Sequence, residues 1–392
     1  MKEVLVMIKP DKEEVKRVNS ITKEFLSKLN SKLKGAKAIL GGSGAKGTWL
    51  SGNHDVDIFV KYDKNVSSDR LEKVLKIFKN VSRVHGSRDY FQLQYEGIEF
   101  EVVPILKISK AADALNITDI SPLHAKWVNK HVKKKDEVLL AKQFFKAQGL
   151  YGAESYIGGF SGYVLEILIA KFGTFEKLLK SCLKWKAKEI FDLNNFYKGK
   201  DVLFELNQSK LSSPIVVIDP VDRSRNAAAA LTMDKFSILK INAKKYLKKP
   251  SEDYFIKKEV TLESLPKKNL VFVKVVPLEG KRDVVGMKLL KAFGHIEKKL
   301  SPFEVVKSGW SFDFFWFNVK KDELDLFEIR KGPPVKMKEF VKDFKKKNKN
   351  NYVSSGHVMA KVKRKYPKLD DFVKDVFKDE YVKERVKKVS FP

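Results

Sequence analysis

The stretch GGSGAKGTWLSGNHDVDIFV, residues 41–60, decides the fold. It joins a turn of small residues to an apolar, strand-like segment carrying Asp55, Val56 and Asp57. Successive strand side chains point to opposite faces, so Asp55 and Asp57 project from the same face. Two hard oxygen ligands side by side suit Mg²⁺, which takes one or two carboxylates together with substrate phosphates. Gly42, Ser43 and Gly44 let backbone N–H groups come close to a phosphate, because nothing bulky intervenes. Carboxylate pair and small-residue turn together describe a triphosphate-and-magnesium site.

Working outward, residues 90–105, YFQLQYEGIEFEVVPI, read as two β-rich runs around a turn at Glu96-Gly97. Glu99 and Glu101 alternate with Ile98, Phe100 and Val102, so both carboxylates share one face. An ordinary half-exposed strand gives the same alternation, and for Glu99 that reading stays open. Glu101, followed by Val102-Val103-Pro104 in an apolar run, is the candidate third acid of the site. On the other side, Val15, Val18, Ile21, Phe25 and Leu29 predict a helix over residues 12–34. It delivers the apolar run Ala38-Ile39-Leu40 to the turn, and a further helix is predicted at about residues 68–80. The result is a small mixed sheet backed by helices, with the acids at one sheet edge.

From about residue 136 the texture changes to long helical segments. DEVLLAKQFFKAQG ends at Gly149, and GYVLEILIAKF is interrupted by Gly173. A β run is predicted at residues 213–222, with a helix opening at about Arg225-Asn226. The Lys-rich stretch at 242–253, with Pro250, reads as a linker. Past residue 260 a strand at 271–276, a helix at about 283–299 and strands at 311–319 and 325–334 indicate a small α/β module. KDFKKKNKNN, residues 342–351, reads as an exposed basic loop, and Lys-rich amphipathic helices follow it. Trp310, Phe312, Phe314 and Trp316 are expected to share one strand face, and Phe315 and Phe317 the other.

At 392 residues the chain can bury a large core in two or three domains. Its formal charge of +30 exceeds what solubility requires. That excess suggests a polyanionic partner, although a lysine-rich proteome from an A·T-rich genome gives the same balance. The lone cysteine, Cys182, excludes an internal disulfide, fits a reducing compartment and reads as a small buried hydrophobe. No apolar run approaches the ~20 residues of a membrane helix, and residues 1–14 lack the pattern of a secretory signal. A soluble, cytoplasmic protein is the expectation.

The ordered motifs resemble a known family. Gly41-Gly42-Ser43, then Lys46 and Thr48-Trp49-Leu50, then Asp55 and Asp57, then the hairpin with Glu99 and Glu101, are similar to the nucleotidyltransferase core of the polymerase-β superfamily. SPLHAKWV at 121–128, LLAKQFFKAQGLYGAE at 139–154, GGFSGYVLEILI at 158–169 and IDPVDRSRNAAAAL at 218–231 resemble the archaeal, class I CCA-adding enzymes, which are tRNA nucleotidyltransferases. The resemblance implies a multidomain α+β fold. Its parts are a polymerase-β-like head with a mixed sheet (residues 1–130), a helical nucleotide- and tRNA-binding domain (131–250) and an α/β C-terminal RNA-binding domain with a helical tail (251–392). It implies CTP and ATP as substrates, Mg²⁺ held by Asp55, Asp57 and Glu101, and tRNA bound at its acceptor end and elbow; it also suggests a homodimer.

Roles follow residue by residue from the resemblance. Gly42 and Ser43 would bind phosphate, and Lys46 stands where the family often has Arg, a point charge in place of a planar fork. Glu101 stands where the family usually has Asp, and would complete the metal set or help deprotonate the attacking hydroxyl. His124, Lys142 and Tyr151 match family positions that contact the triphosphate, and Ser121, three residues before His124, would donate a hydroxyl to the same phosphates. Locally the first three have plainer readings: surface histidine, solvated lysine, core tyrosine. Arg225 would read the cytosine and adenine edges, and Asp222 would anchor that arginine or cap a helix. Two other readings are an ATP-specific, poly(A)-polymerase-like transferase and a catalytically inactive tRNA-binding relative.

Overall fold

The computed structural model describes residues 1–391 with the exception of His54, Asn65 and Ser87. These residues form two compact units, 1–259 and 260–392. The first unit opens with α1 (Lys2–Ile8) and α2 (Lys12–Lys32). Asp11 starts α2 by accepting from the Glu14 N–H at 2.7 Å, satisfying one of the donors that a helix N-terminus leaves open. Then come β1 (Ala36–Leu40), the single-turn α3 (Gly42–Lys46), β2 (Asp55–Tyr62), α4 (Ser68–Leu75), β3 (Ser82–Val84), β4 (Tyr90–Tyr95) and β5 (Ile98–Leu106). The sheet order is β1-β2-β5-β4-β3, and only the β2–β5 pair is parallel. Phe25 of α2 stacks on Phe100 of β5 at 4.1 Å and on Phe78 at 4.4 Å, sealing one sheet face with the apolar residues that alternate with the acids.

α5 (Ser121–His131), α6 (Lys135–Ala147), α7 (Gly162–Phe172) and α8 (Phe175–Cys182) follow. Ser161 and Thr174 cap α7 and α8 through their side chains. The short parallel pair β6 (Glu189–Phe191) and β7 (Ile215–Val217) brackets the one-turn α9 (Val202–Glu205), and α10 (Met233–Lys248) closes the bundle. A second core forms here around Phe144, Phe145, Phe175, Leu168 and Tyr246. Val4 and Ile8 of α1 belong to this core and not to that of the first sheet. Cys182 is fully buried in it. Two expectations fail in this region. Residues 225–231 form turns, and the helix begins only at Met233, where the Thr232 hydroxyl caps it. The Lys-rich stretch read as a linker is instead the end of α10 plus a tight turn that buries Phe255 in the core.

The second unit contains β8 (Leu270–Val276), α11 (Arg282–Lys299), β9 (Val305–Trp310), β10 (Phe314–Val319), β11 (Phe327–Pro334), α12 (Lys338–Lys347), β12 (Asn351–Ser354), β13 (His357–Lys363), α13 (Leu369–Val376), α14 (Glu380–Lys383) and β14 (Lys388–Ser390). They make two sheets, β14-β8-β10-β9 and β11-β13-β12. β9 escapes a pattern reading, because a serine and a glycine interrupt its apolar residues. The basic loop expected at 342–351 is mostly α12: lysine is a good helix former, and Phe344 anchors the helix over Gly332 of β11. The segment after it is a β-hairpin, and the final residues return as β14 to the first sheet. Nor do the four aromatics share a face. The chain turns at Ser311, so Trp310 and Phe312 pack toward the core with Phe315 and Phe317, while Phe314 stacks on Phe272 across the sheet. Among the described residues no helix is long and apolar enough to cross a membrane.

Removing the Phe25 ring would leave a cavity between two stacked partners. Phe25→Ala should therefore destabilise the first unit by about 3–5 kcal/mol, seen as a lower midpoint in urea denaturation.

Candidate active site

Parallel pairing of β2 with β5 sets Asp55 opposite Glu99 and Asp57 opposite Glu101, four acids in two adjacent rows. Asp55 is exposed at the strand start, whereas Asp57 is largely covered. Burial, then repulsion from Glu101 and Asp55, pushes the Asp57 carboxyl up to about 6, against the pull of Lys46. Burial and the same neighbours raise Glu99 as well, so it faces the acidic group. Glu101 accepts a hydrogen bond at 2.7 Å from Gln92, its partner on β4. Gly42 adopts a left-handed φ of 51°, and a Cβ there would lie 1.5 Å from Asp57 Oδ2. Only glycine lets the small-residue turn and this carboxylate touch.

The oxygen donors suit a hard divalent cation. Among the described residues no three His, Cys, Asp or Glu side chains converge to hold a metal by themselves. The Asp55–Asp57 pair still meets the need of an ion that draws its other ligands from phosphate and water. A cation between these acids would also offset the repulsion that raises Asp57.

Behind the turn lies a buried ion cluster. Glu166 of α7 is fully buried and accepts from Lys46 Nζ at 2.7 Å, Thr48 Oγ1 at 2.6 Å and Lys142 Nζ at 3.2 Å. Burial opposes its charge, yet the two lysines hold its carboxyl below the usual range. Lys142 also donates to the Thr48 carbonyl at 2.8 Å and hydroxyl at 3.1 Å, so each of its three N–H groups has an acceptor. Burial brings its pKa down to about 8 even with Glu166 beside it. Among the described residues Lys46 Nζ donates only to Glu166. A Cβ on Gly162 would lie 2.8 Å from the Tyr151 hydroxyl and 3.3 Å from Lys142 Nζ, which brings Tyr151 to the same place. Burial, then the nearby acids, raises the Tyr151 phenol to about 12. Lys146 lies over the Tyr151 ring at 5.3 Å.

A second cluster centres on Asp219, also fully buried. It accepts from Arg225 Nη1 at 2.6 Å, the Tyr163 hydroxyl at 2.9 Å and the Val221 N–H at 2.9 Å, and bonds His124 Nε2 at 3.0 Å. Burial works to raise its carboxyl, but His124 and Arg225 hold it well below the usual carboxylate range. The His124 and Tyr163 rings stack at 4.1 Å, and Lys46 Nζ lies 5.9 Å from the Tyr163 ring, so the two clusters meet at Tyr163. α5 is fixed to the turn by Asn129, which donates to the Ala45 carbonyl at 2.9 Å. Its start is fixed by buried Asp119, which pairs with Arg88 and accepts from the Leu106, Leu115 and Asn116 N–H groups. Ser121 is the first residue of α5.

Among the described residues Asp222 bonds only within its own turn, accepting from the N–H and hydroxyl of Ser224. Three-residue spacing would have put it beside Arg225 on a helix, but the segment is a turn, and Asp219 takes the arginine. Arg225, Asp222 and Ser161 line a cavity of ≈ 500 Å³ whose remaining wall includes Ala153 and Ala227. The unexpected members are Glu166, Asp219 and Tyr163. The first two had a visible signal, since a lone acid inside the apolar runs YVLEILIA and IVVIDP has to be paired when buried.

A mixed sheet that presents Asp55 and Asp57 against a glycine turn defines a nucleotidyltransferase, a fold whose members use a divalent metal. Residues 22–122 match the nucleotidyltransferase domain family, 136–256 the family described as tRNA nucleotidyltransferase, second domain, and 281–388 that described as CCA-adding enzyme, C-terminal domain. The CCA-adding enzyme of Methanocaldococcus jannaschii is 32% identical, with 96% of this chain and 90% of that protein aligned. That of Nanoarchaeum equitans is 44% identical over 53% of this chain and 54% of its own length. The chain therefore belongs to the CCA-adding enzyme family of tRNA nucleotidyltransferases. Among solved structures, a Cid1 poly(U) polymerase shares the fold at 13% identity and a TM-score of 0.53, covering 66% of this chain and 97% of its own.

Gly42→Ala should collapse nucleotidyl transfer while the protein stays folded, because the methyl group and Asp57 Oδ2 claim the same space. Steady-state rates alongside circular dichroism would check this; wild-type turnover in the variant would refute the assigned contact.

Proposed function

We propose that the chain extends tRNA 3′ ends by C, C and A without a nucleic-acid template, using CTP and ATP with Mg²⁺ and releasing pyrophosphate. Family membership supports the reaction. The observation that carries the site is Asp57, a largely covered acid between Glu101 and Asp55, touching the glycine turn. Asp55 and Asp57, with Glu101 in the adjacent row, would hold Mg²⁺, which when bound supplies charge neutralisation for the triphosphate. Gly42 and Ser43 present N–H and hydroxyl donors to phosphate oxygens, and Lys46 adds its ammonium charge. Ser121, His124 and Tyr151 close around the same phosphates. Lys142 acts from behind by charge and by holding Thr48. The tRNA 3′-oxygen bonds to the α-phosphorus, its proton leaves to solvent or a site carboxylate, and pyrophosphate departs. Asp222 shapes the turn that delivers Arg225 to the base edge.

The division into a head (1–130), a helical domain (131–250) and a C-terminal body with its tail (251–392) belongs to the same proposal. So do tRNA acceptor and elbow contacts through the lysine surplus, a homodimer, and residence in the cytoplasm.

The test is incorporation of labelled CTP and ATP into tRNA ending at the discriminator base, resolved at single-nucleotide length. Two C residues, one A and a stop are expected. Long A tails would replace this reading with an ATP-specific transferase, and tight tRNA binding without extension would mark an inactive relative. Asp57→Asn should abolish incorporation and leave tRNA affinity nearly unchanged.

The pH profile should carry the mark of Lys142. Its pKa of about 8 lies below the ordinary 10.5, so the ammonium is charged below pH 8 and neutral above. Nucleotide kcat/KM, which reports groups of the free enzyme, should fall as pH rises through about 8. In Lys142→Gln that limb should flatten at a lower plateau.

A further inference from the structure

We propose that Asp219 is the positioning residue for nucleotide choice: it fixes the plane of Arg225 and ties that plane to the phosphate-facing His124. The proposal rests on the reading of Arg225 as the base-reading group. A guanidinium discriminates between cytosine and adenine only if its N–H fork is held at one angle to the base edge. Arg225 is partly exposed, lines the ≈ 500 Å³ cavity, and would otherwise sample many rotamers. Asp219 removes that freedom twice. Its Oδ2 takes Nη1 at 2.6 Å, and its own backbone N–H donates to the Arg225 carbonyl at 2.9 Å. The carboxylate cannot itself swing, because the Tyr163 hydroxyl and the Val221 N–H both donate to Oδ1.

The same Oδ2 that takes Arg225 also meets His124 Nε2. One oxygen thus serves the arginine at the base cavity and the histidine of α5. A base that displaces the guanidinium from its set angle must also disturb His124, so a mismatched nucleotide loses contacts at both ends. Asp219 is fully buried and is not part of the cavity lining that includes Arg225; it acts through Arg225. Pro220 and Asp222 complete a rigid turn on its C-terminal side, with Asn194 donating to the Pro220 carbonyl at 2.8 Å.

The experiment is competition between CTP and ATP at each step of tRNA extension, scored as the ratio of kcat/KM values. Asp219→Asn keeps the shape and weakens the arginine bond from charged to neutral, so the ratio should fall by about tenfold or more. tRNA affinity should not change. In an Arg225→Ala background Asp219→Asn should change the ratio no further, because the group it positions is gone. Tyr163→Phe, which removes one of the two donors to Oδ1 without altering charge, should move the ratio the same way by a smaller factor and serves if Asp219→Asn does not fold. An unchanged ratio in a folded Asp219→Asn or Tyr163→Phe, or additive effects with Arg225→Ala, would overturn the proposal. Wild-type protein that fails to add CCA would defeat the functional reading instead, and the two failures are separable in one assay.

Discussion

A carboxylate taken wholly out of water is tolerated only where cations and donors surround it, and Glu166 is surrounded by Lys46, Lys142 and Thr48. The partners come from two distant parts of the chain: Lys46 and Thr48 follow the glycine turn beside the mixed sheet, and Lys142 sits on α6. The ion cluster is therefore the fastener between the mixed sheet and the helices behind it. Buried ion pairs of this kind contribute little net stability compared with well-packed apolar residues of equal volume. What the cluster does secure is register. It holds the lysine charge at a fixed depth beneath the turn.

α7 carries that arrangement one step further. Tyr163 and Glu166 are three residues apart on one helix face. Tyr163 meets Asp219 and His124, and Glu166 meets the lysines, so a single short helix is common to the two buried clusters. A rigid element shared by two clusters lowers the ordering that binding at either would demand. Small residues at the start of α7 make this possible, since Gly162 leaves the Tyr151 hydroxyl and Lys142 room to lie against the backbone.

Much of this was readable from the chain. Asp55 and Asp57 announce themselves because strand alternation is strict and the acids interrupt an aliphatic run; the same rule points to Glu101, and helical spacing gives the helix with Phe25. The long apolar segments of α6 and α7 were equally plain. The sequence misleads where the chain turns. Asp222 is close to Arg225 along the chain, but the segment is a turn in which Asp219 takes the arginine, and the four aromatics lie on either side of a bend at Ser311. Lysine-rich stretches read as linker or loop because charge hides helix periodicity, yet α10 and α12 run through them. Glu166 and Asp219 show the complementary case: their partners are over ninety residues away in several instances, so sequence shows the need for a partner but not its name.

The placement of α1 has a consequence for how the chain reaches its native state. Its Val4 and Ile8 belong to the helical core with Phe144 and Phe255, and the Tyr246 hydroxyl donates to the Met1 sulfur across a separation of 245 residues. On a ribosome the sheet of β1 to β5 can close from local pieces soon after it emerges. The apolar face of α1 has nothing to cover it until α6 and then the segment after α10 have followed. Closing so long a loop comes late and depends on contacts of high sequence separation. Nascent chains would thus pass through a stage with an ordered sheet domain and a greasy leading helix, the kind of surface that chaperones recognise.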